Sequence, residues 1–311
     1  MYPRRVRIAD PIVWPHHRYG WPQAITATVE QLHNKDGVTL LTSLDDYVVF
    51  RRKAETDVPW KKTPPEPWVG FVHQPPGTYW PNNTPPGTEA PSALEELIRR
   101  KMEFLPGNRG LFVLSDEQQR RLDPHFMVSR AWLPARLGAP KWSWEAFEEH
   151  EERKVVMLGN WLRRFQHLDR LQVPEWLTKR FVIGVPQTSR RLRALGCTTP
   201  CVRRLSPEEW DAMITRNIVF LSFRHVAAST TIGDCIGSWT PCLVNRLPAT
   251  MDYLGASYPF FWDDLDQASS LVKDPGAIKA AHQYLREMDT DHLSVEAFVK
   301  RIATSRVYKQ L

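Results

Sequence analysis

Short runs of apolar residues alternate along the chain with segments in which apolar residues recur at helical spacing. The runs predict β-strands at Val6–Trp14, Val38–Leu41, Trp68–His73, Gly110–Ser115, Lys154–Gly159, Arg180–Val185, Asn217–Leu221 and Pro241–Asn245. The spacing predicts helices at Trp21–His33, Ser92–Phe104, Asp116–Leu122, Thr230–Gly237, 275–288 and 293–309, and another that begins at Ser206. Strands that alternate with helices are typical of parallel sheets, so we predict a protein of the α/β class.

Two such series of strands and helices are separated by a break between residues 140 and 153. We therefore predict an N-terminal domain at 1–148, a C-terminal domain at 149–290, and a last helix, 291–311, that returns to the N-terminal domain. Ligands of parallel sheets bind at the carboxyl ends of the strands. Residues that directly follow a strand are therefore the first candidates for a functional site.

The segment from Asn217 to Gly255 carries the strongest chemical signal, because a hydroxyl-rich loop opens a helix directly after a strand. The free N–H groups and the positive end of such a helix attract a phosphate, and Thr230 and Thr231 stand at that position. Asp234, one turn into the helix, is spaced to accept hydrogen bonds from a ribose diol. The alternative is structural: the threonines cap the helix, and Asp234 interacts favourably with the helix dipole.

The order of several motifs resembles that of the GT-B glycosyltransferases. In the second half these motifs are Thr230-Thr231, Asp234-Cys235-Ile236, Thr240-Pro241, Val244–Ala249, Asp252–Gly255 and Tyr258-Pro259. The preceding motifs are Trp68–Pro76, Gly110–Ser115 and Leu158–Arg164. The resemblance implies two Rossmann-like domains that face each other across a cleft, a nucleotide sugar bound mainly by the C-terminal domain, and transfer of a hexosyl or pentosyl group. UDP-sugar is the favoured donor, and no further cofactor is expected.

The resemblance also implies which residues hold the donor. Arg163 and Arg164 follow the first strand of the second half, where a basic residue neutralises the diphosphate as the leaving group departs. The predicted donor set is Asn160, Arg163, Arg164, Thr230, Thr231 and Asp234. The chain departs from the family pattern by having Asp234 and Asp252 where glutamates are usual, and a threonine pair where two asparagines are common.

Candidate catalytic residues follow the strands of the first half. His73 ends a buried strand, where its imidazole is predicted to act as a base on an acceptor hydroxyl or to hydrogen-bond the sugar. A purely structural histidine that caps the loop is the alternative. His17 and Asp10 follow the first strand, where some GT-B enzymes place their base, and Gly20 lets the chain approach a ligand closely.

The charge distribution bears on the acceptor. The net charge is +6 and the pI is about 9.2, and residues 1–150 carry 19 basic against 18 acidic side chains. Basic residues still cluster in the first half, and Arg51, Arg52, Arg99 and Arg100 either contact a DNA backbone or belong to a solvated surface whose charge is offset by nearby acidic residues. Tyr79 and Trp80, on a proline-rich loop, either stack on a sugar or a base or pack within the protein.

Several classes of site are disfavoured by the sequence. No apolar run is long enough for a transmembrane helix, and the N-terminus does not resemble a signal peptide, so we expect a cytoplasmic monomer. The four cysteines lack the spacing of a zinc site. No Asp-x-Asp motif of the kind that holds a divalent metal lies beside a strand, so we expect metal-independent chemistry.

Three functions are compatible with these observations. The favoured one is a glycosyltransferase that acts on a hydroxymethylated base in DNA, 5-hydroxymethylcytosine above all, because of the charge and the aromatic residues of the first half. The second is a glycosyltransferase that acts on a glycan or polysaccharide. The third is a nucleotide-sugar binding protein without enzymatic activity.

Overall fold

The computed structural model describes residues 2–8, 19–45, 67–77, 93–104, 106–159, 161–183, 186–203 and 205–311. The chain forms two compact units. Unit 1 comprises Met1–Pro134, His225–Ala228 and Asp291–Leu311, and unit 2 comprises Ala135–Arg224 and Ser229–Thr290. Among the described residues, no helix is both long and apolar enough to cross a membrane.

Unit 1 is built on a parallel sheet with the strand order β1-β2-β3-β4-β5. Its elements up to residue 134 are β1 (Val6–Arg7), α1 (Trp21–Leu32), β2 (Val38–Leu41), β3 (Trp68–Val72), α2 (Ala93–Arg99), α3 (Lys101–Phe104), β4 (Asn108–Val113), α4 (Asp116–Leu122) and β5 (Val128–Arg130). Every residue of the central strand β3 is buried, as is typical of a parallel strand with both faces covered. The carboxyl end of β3 is therefore held by a rigid core.

Unit 2 is built on a second parallel sheet, with the strand order β11-β10-β9-β6-β7-β8. Its elements are α5 (Trp144–Glu148), β6 (Lys154–Leu158), α6 (Gln166–Arg170), β7 (Thr178–Ile183), α7 (Pro186–Ala194), β8 (Cys201–Arg203), α8 (Pro207–Thr215), β9 (Ile218–Leu221), α9 (Thr230–Ser238), β10 (Cys242–Asn245), α10 (Pro248–Leu254), β11 (Phe261–Trp262), α11 (Leu265–Lys273) and α12 (Pro275–Glu287). Two parallel sheets confirm the predicted α/β class. β6, β9 and β10 are neighbours, so the loops that follow them share one edge of the sheet.

The end of the chain belongs to unit 1, as predicted for a returning C-terminal helix. After a 3-10 turn at Asp291–Leu293, it forms α13 (Val295–Thr304) and α14 (Arg306–Lys309). The Phe298 ring stacks on Phe71 of the central strand with 5.9 Å between the ring centres. The Tyr308 hydroxyl donates to the Pro3 carbonyl at 2.6 Å and accepts from the Arg5 N–H at 3.0 Å. Residues from both ends of the chain thus complete the core of unit 1.

Candidate functional site

Two loops at the carboxyl edge of the unit 2 sheet are tied together by their backbones. In the loop after β6, the Arg164 N–H donates to the Ser222 carbonyl at 2.8 Å. In return, the Arg224 N–H of the loop after β9 donates to the Leu162 carbonyl at 2.9 Å. Leu162 has a φ of 54°, in the left-handed region. This tight turn places Arg163 between the two loops.

Asn245, the last residue of β10, holds the second of these loops. Its Oδ1 accepts from the Phe223 N–H at 2.7 Å, and its Nδ2 donates to the Phe223 carbonyl at 3.2 Å. Asn245 therefore satisfies both backbone groups of one loop residue from the neighbouring strand. It was not predicted as a site residue, although its place directly at a strand end is the signal that marks such positions.

Arg163 is a buried cation, with 7% of its surface exposed. Its Nε donates to the Leu158 carbonyl at 3.2 Å and its Nη1 to the Trp161 carbonyl at 3.1 Å, and its guanidinium carbon lies 4.0 Å from the centre of the Phe223 ring. Burial lowers the pKa of Arg163 to about 9. No carboxylate of the described residues forms an ion pair with it. A buried charge without a counter-ion is costly, so this arrangement favours an anionic ligand.

Gly159 lies beside this cation. It has a φ of 79°, which strongly favours glycine, and a Cβ built on it would lie 3.6 Å from Nη2 of Arg163. A side chain at position 159 would therefore strain the backbone, while its Cβ would make an ordinary van der Waals contact with the guanidinium. The glycine that follows β6 is required by its backbone conformation.

Further cations surround the same loops. Burial lowers the pKa of Arg164, and the charge of Arg224 lowers it further. Burial is also the main reason why the pKa of His167 is lowered, followed by the charges of Arg164, Arg170 and Arg224. None of these three arginines forms an ion pair with a carboxylate of the residues that the structure describes. The carboxyl edge of unit 2 is therefore strongly electropositive.

The N-terminus of α9 opens at the same edge. Ser229 is the N-cap, since its Oγ accepts from the Ile232 N–H at 3.4 Å, while its carbonyl accepts from the Gly233 N–H at 3.1 Å. The backbone N–H groups of Thr230 and Thr231 make no hydrogen bond to any described residue. The cap is thus a serine that precedes the predicted pair, and the two threonines leave their N–H groups for an anion.

Asp234 lies in α9 and is 5% exposed. One of its carboxylate oxygens accepts from the indole N–H of Trp210, on α8, at 3.3 Å. A ribose diol bound by Asp234 would share the carboxylate with this indole. The sequence offered no signal for the contact, because the two residues lie on different helices.

His73 follows the central strand of unit 1 and is half-buried. Its Nε2 lies 2.8 Å from the Thr42 carbonyl, which can only accept, so Nε2 carries the proton and Nδ1 is the basic nitrogen of the neutral ring. The ring packs edge-on against Trp21, with 4.4 Å between the ring centres. Burial lowers the pKa of His73 to about 4. The imidazole is therefore neutral at pH 7 and a weak base.

Two buried polar side chains hold the loop that begins at His73. The carboxylate of Asp45 accepts from the His73 N–H at 2.7 Å and from the Gln74 N–H at 3.1 Å. The Gln118 amide donates to the carbonyls of Val72 and Gln74, both at 3.0 Å. Burial raises the pKa of Asp45 to about 6 despite these hydrogen bonds. Neither Asp45 nor Gln118 was predicted, although Asp45 follows β2 as His73 follows β3.

Three further predicted residues of unit 1, Gly20, Arg99 and Arg100, already make hydrogen bonds or ion pairs within the chain. Gly20 has a φ of 75° and begins α1, where its N–H donates to the Gln23 side chain at 3.2 Å. The Arg99 Nε donates to Glu96 at 2.9 Å, and the Arg100 Nε lies 3.9 Å from the same carboxylate. Both arginines therefore already share an acidic partner that a phosphate would have to displace.

Seven of the predicted site residues lie outside the described part of the chain. They are Asp10, His17, Arg51, Arg52, Tyr79, Trp80 and Asn160. Within the described ranges, no group of three or more histidine, cysteine, aspartate or glutamate side chains is arranged to hold a metal ion.

Comparison with known proteins identifies the fold. No protein-family profile matches the sequence, and no curated protein sequence matches it. Among solved structures, the chain is similar to HepE from Anabaena in complex with UDP and glucose, with a TM-score of 0.57 and 11% identity over 79% of this chain and 72% of HepE. It is also similar to a TarM mutant from S. aureus in complex with fondaparinux, α-GlcNAc-glycerol and UDP, with a TM-score of 0.59 and 12% identity over 91% of this chain and 59% of TarM.

A third similar structure matches almost end to end. It is AviGT4, a glycosyltransferase involved in avilamycin A biosynthesis, with a TM-score of 0.51 and 12% identity over 100% of this chain and 98% of AviGT4. The chain thus spans about three fifths of TarM but nearly the whole of AviGT4. At these identities the likeness establishes the fold, which is the GT-B fold with two Rossmann-like domains.

Proposed function

We propose that this chain is a glycosyltransferase that binds a nucleoside-diphosphate sugar at the carboxyl edge of unit 2. The observation that carries the proposal is Arg163, a buried guanidinium that is held by two backbone carbonyls and has no carboxylate partner among the described residues. A diphosphate supplies the missing negative charge. HepE and TarM, which share the fold, were both crystallised with UDP, so UDP-sugar is the donor that we propose.

The donor is held by groups of different chemistry. Arg163 and Arg164 bind the diphosphate oxygens, and the N–H groups of Thr230 and Thr231 bind a phosphate at the positive end of α9. Asp234 accepts from the ribose hydroxyls. Asn160 joins this set by its place in the motif between Gly159 and the arginines.

The same cations assist the reaction. When the bond between the anomeric carbon and the diphosphate oxygen breaks, negative charge grows on the departing nucleoside diphosphate. Preorganised arginines and helix N–H groups stabilise that charge without reorganisation. The anomeric carbon then forms its bond to the acceptor oxygen, and the hydroxyl proton leaves for a base. The arginines supply the positive charge that a divalent metal would otherwise supply, so we propose that the reaction needs no metal.

His73 is proposed to orient a hydroxyl rather than to remove its proton. A general base is most effective when its pKa is close to the working pH, and the pKa of His73 is about 4. A neutral ring whose Nε2 is fixed on the Thr42 carbonyl can accept a hydrogen bond at Nδ1 from a sugar or acceptor hydroxyl. His17 and Asp10 are the proposed bases, in the position that the family resemblance implies.

Two acceptor classes follow from different observations. The positive charge favours a hydroxymethylated base in DNA, which would be extruded from the duplex and stacked on Tyr79 or Trp80. Arg51, Arg52, Arg99 and Arg100 would then contact the DNA backbone, and for Arg99 and Arg100 the phosphates would have to displace Glu96. A glycan acceptor is favoured instead by HepE with glucose and by TarM with α-GlcNAc-glycerol.

The test compares donors and acceptors in one assay. The protein is incubated with radiolabelled UDP-glucose, UDP-N-acetylglucosamine or UDP-galactose, and with hydroxymethylcytosine DNA, unmodified DNA or simple glycans. Transfer to any acceptor supports the enzyme, and its identity decides between DNA and glycan. Slow release of free sugar without an acceptor also supports catalysis. Tight UDP binding with neither hydrolysis nor transfer would leave only the non-enzymatic binding protein, and failure to bind any nucleotide sugar would overturn the proposal.

A further inference from the structure

The positive charge of the chain is concentrated in one segment. Residues 176–207 contain seven lysines and arginines and no acidic residue. The whole chain has 41 Lys and Arg against 35 Asp and Glu, so the remainder holds 34 against 35. The basic pI of the protein is therefore a property of this segment, not of the surface at large.

The fold places this segment at one side of unit 2. It forms β7, α7 and β8, and β7 and β8 are the last two strands at one edge of the sheet. We call the described residues of this segment, 176–183, 186–203 and 205–207, the basic edge. Because the segment contains no acidic side chain, its positive charge is not neutralised from within.

Helix α7 presents the exposed cations of the basic edge. Arg190 and Arg193 are both exposed and three positions apart, so they lie on the same face of the helix, while Leu192 is buried. Neither arginine forms an ion pair with a carboxylate of the described residues. Lys179, by contrast, is engaged by the carbonyls of Asp169 and Leu171 at 2.6 and 3.2 Å. Among the side chains of this segment that the structure describes, the exposed positive charge thus comes from the helix.

A nucleotide diphosphate does not account for these cations. The proposed donor site already has Arg163 and Arg164 at the loop after β6, together with the N-terminus of α9. Arg190 and Arg193 lie on a different element, after β7, and add to the exposed Arg170 on α6. Several further cations without carboxylate partners, on one side of one sheet, fit a ligand with many negative charges.

Neither the groove on this side of unit 2 nor insertion into a membrane explains the charge of the basic edge as well. A groove of about 550 Å³ at the amino ends of β6, β7 and β8 is lined partly by the basic edge itself, but its charge is mixed, because three glutamates stand beside Arg153, Lys179 and Arg180, so it offers no net attraction to a polyanion. Insertion into a membrane needs exposed apolar side chains. In the part of the chain that the structure describes, the exposed large hydrophobic residues are Met102 and Trp161, and neither belongs to the basic edge. The chemistry of this surface is electrostatic.

We infer that the basic edge binds the phosphate backbone of a nucleic acid through α7. Arginine binds phosphate oxygens in pairs, and each phosphate that is neutralised releases a condensed counter-ion, which drives binding. The inference extends the proposed transfer of a sugar to DNA. It rests on that proposed function only in connecting DNA binding with sugar transfer. It assigns the grip on the backbone to unit 2, whereas the sequence motifs favoured the first half of the chain.

The test measures binding of the full chain to a short fluorescent DNA duplex as a function of salt. The double variant Arg190→Glu/Arg193→Glu should weaken binding at least about tenfold at low salt, and should flatten the log–log salt dependence by about 1.8, since each phosphate contact contributes about 0.9. Its UDP affinity, measured by calorimetry, should be unchanged. The matched control is Arg120→Glu/Arg121→Glu on α4, which reverses two exposed charges of unit 1 and should leave DNA binding unchanged.

The outcomes separate the inference from the proposed function. Unchanged DNA binding by the α7 variant, equal loss in the control, or binding to vesicles of phosphatidylserine in preference to DNA would each overturn the inference. Loss of DNA binding only in the α7 variant supports it, even if the wild type binds no UDP, in which case the transferase proposal alone fails. The neutral variant Arg190→Gln/Arg193→Gln, expected to bind with intermediate affinity, shows that the effect follows charge and not misfolding.

Discussion

Replacement of Arg163 by methionine separates the cost of a buried cation from the gain of binding an anion. Methionine is unbranched and apolar, so it can fill the space between Leu158 and Phe223 without a charge. In the free protein the guanidinium has two carbonyl acceptors and one aromatic face, and no carboxylate partner among the described residues. The variant should therefore affect ligand binding far more than folding.

The magnitudes follow from the environment of Arg163. Its pKa of about 9 lies roughly three and a half below the usual value, which corresponds to a cost of about 5 kcal/mol at about 1.4 kcal/mol for each unit. Because the folded pKa is the lower one, this cost is fully present at pH 7, begins to fall as the pH rises through 9, and is gone only above the pKa of arginine in the unfolded chain. Two hydrogen bonds from a charged group, at about 1.5 kcal/mol each, and a cation–π contact of about 1 kcal/mol offset most of it. The net contribution of Arg163 to the stability of the free protein is near zero.

Ligand binding should respond differently. Loss of a charge-assisted contact to a diphosphate costs about 1.5–3 kcal/mol, which is roughly a 10- to 150-fold loss of UDP affinity. Thermal unfolding and calorimetry, each with and without UDP, measure both effects. Arg163→Met should unfold within a few degrees of the wild type but lose most of the stabilisation by UDP. The control is Arg153→Met, which removes a guanidinium whose carbon lies 5.2 Å from the centre of the Trp176 ring. This variant should keep the full stabilisation by UDP. If UDP stabilises Arg163→Met as much as the wild type, the proposed donor site is refuted. If the variant does not fold, the near-zero contribution of Arg163 to the stability of the free protein is refuted.

Three further predictions concern single side chains. Asp234→Ala should weaken UDP binding about tenfold but leave pyrophosphate binding unchanged in calorimetry, because only UDP carries a ribose; equal loss for both ligands would contradict the ribose contact. Urea unfolding between about pH 4 and 6 should show opposite trends for two variants. The free energy of unfolding of Asp45→Asn, minus that of the wild type, should rise with pH, whereas the same difference for His73→Gln should fall. Each slope should be at most about 1.4 kcal/mol per pH unit. The raised pKa of Asp45, about 6, makes the wild type lose stability as the pH rises, whereas the lowered pKa of His73, about 4, makes it gain stability. Slopes of the same sign would show that the pKa shift of one of the two residues is wrong. Tyr308→Phe should lower the free energy of unfolding by about 1–2 kcal/mol in urea, because it removes two hydrogen bonds to the start of the chain, and an unchanged midpoint would show that those bonds do not matter.

The strands that the sequence predicts well are the central ones. β3, β6 and β10 are apolar except for Lys154 and Asn245 at strand ends, because parallel strands in the middle of a sheet are covered on both faces. The short strands β5, β8 and β11 escaped prediction, since two or three residues are too few to show a period. One long helix was predicted over 293–309, but Ser305 divides it, because its Oγ caps α14 by accepting from the Tyr308 N–H at 3.0 Å.

The candidate site was predictable where it depends on local order in the chain. A glycine and two arginines after a strand, and hydroxyl residues before a helix, are visible in the sequence. Asn245 and Asp45 act on backbone groups 22 and 28 positions away, and no local pattern reveals such partners. The neutral state of His73 depends in the same way on the Thr42 carbonyl and on burial. The sequence could identify this histidine as a candidate, but it could not show that the ring is neutral or which of its nitrogens carries the proton.

The course of the chain through the two units has a consequence for synthesis on the ribosome. Unit 1 needs α13 and α14, which are translated after unit 2, whereas unit 2 lies between Ala135 and Thr290. The usual order, in which the N-terminal domain folds first as it emerges, is therefore reversed here. The earlier part of unit 1 must wait, with the apolar strand β3 lacking the Phe298 ring, until α13 has been translated. A truncated messenger that stops at residue 290 would release a folded unit 2 tethered to an incomplete unit 1, a product that chaperones and proteases would recognise.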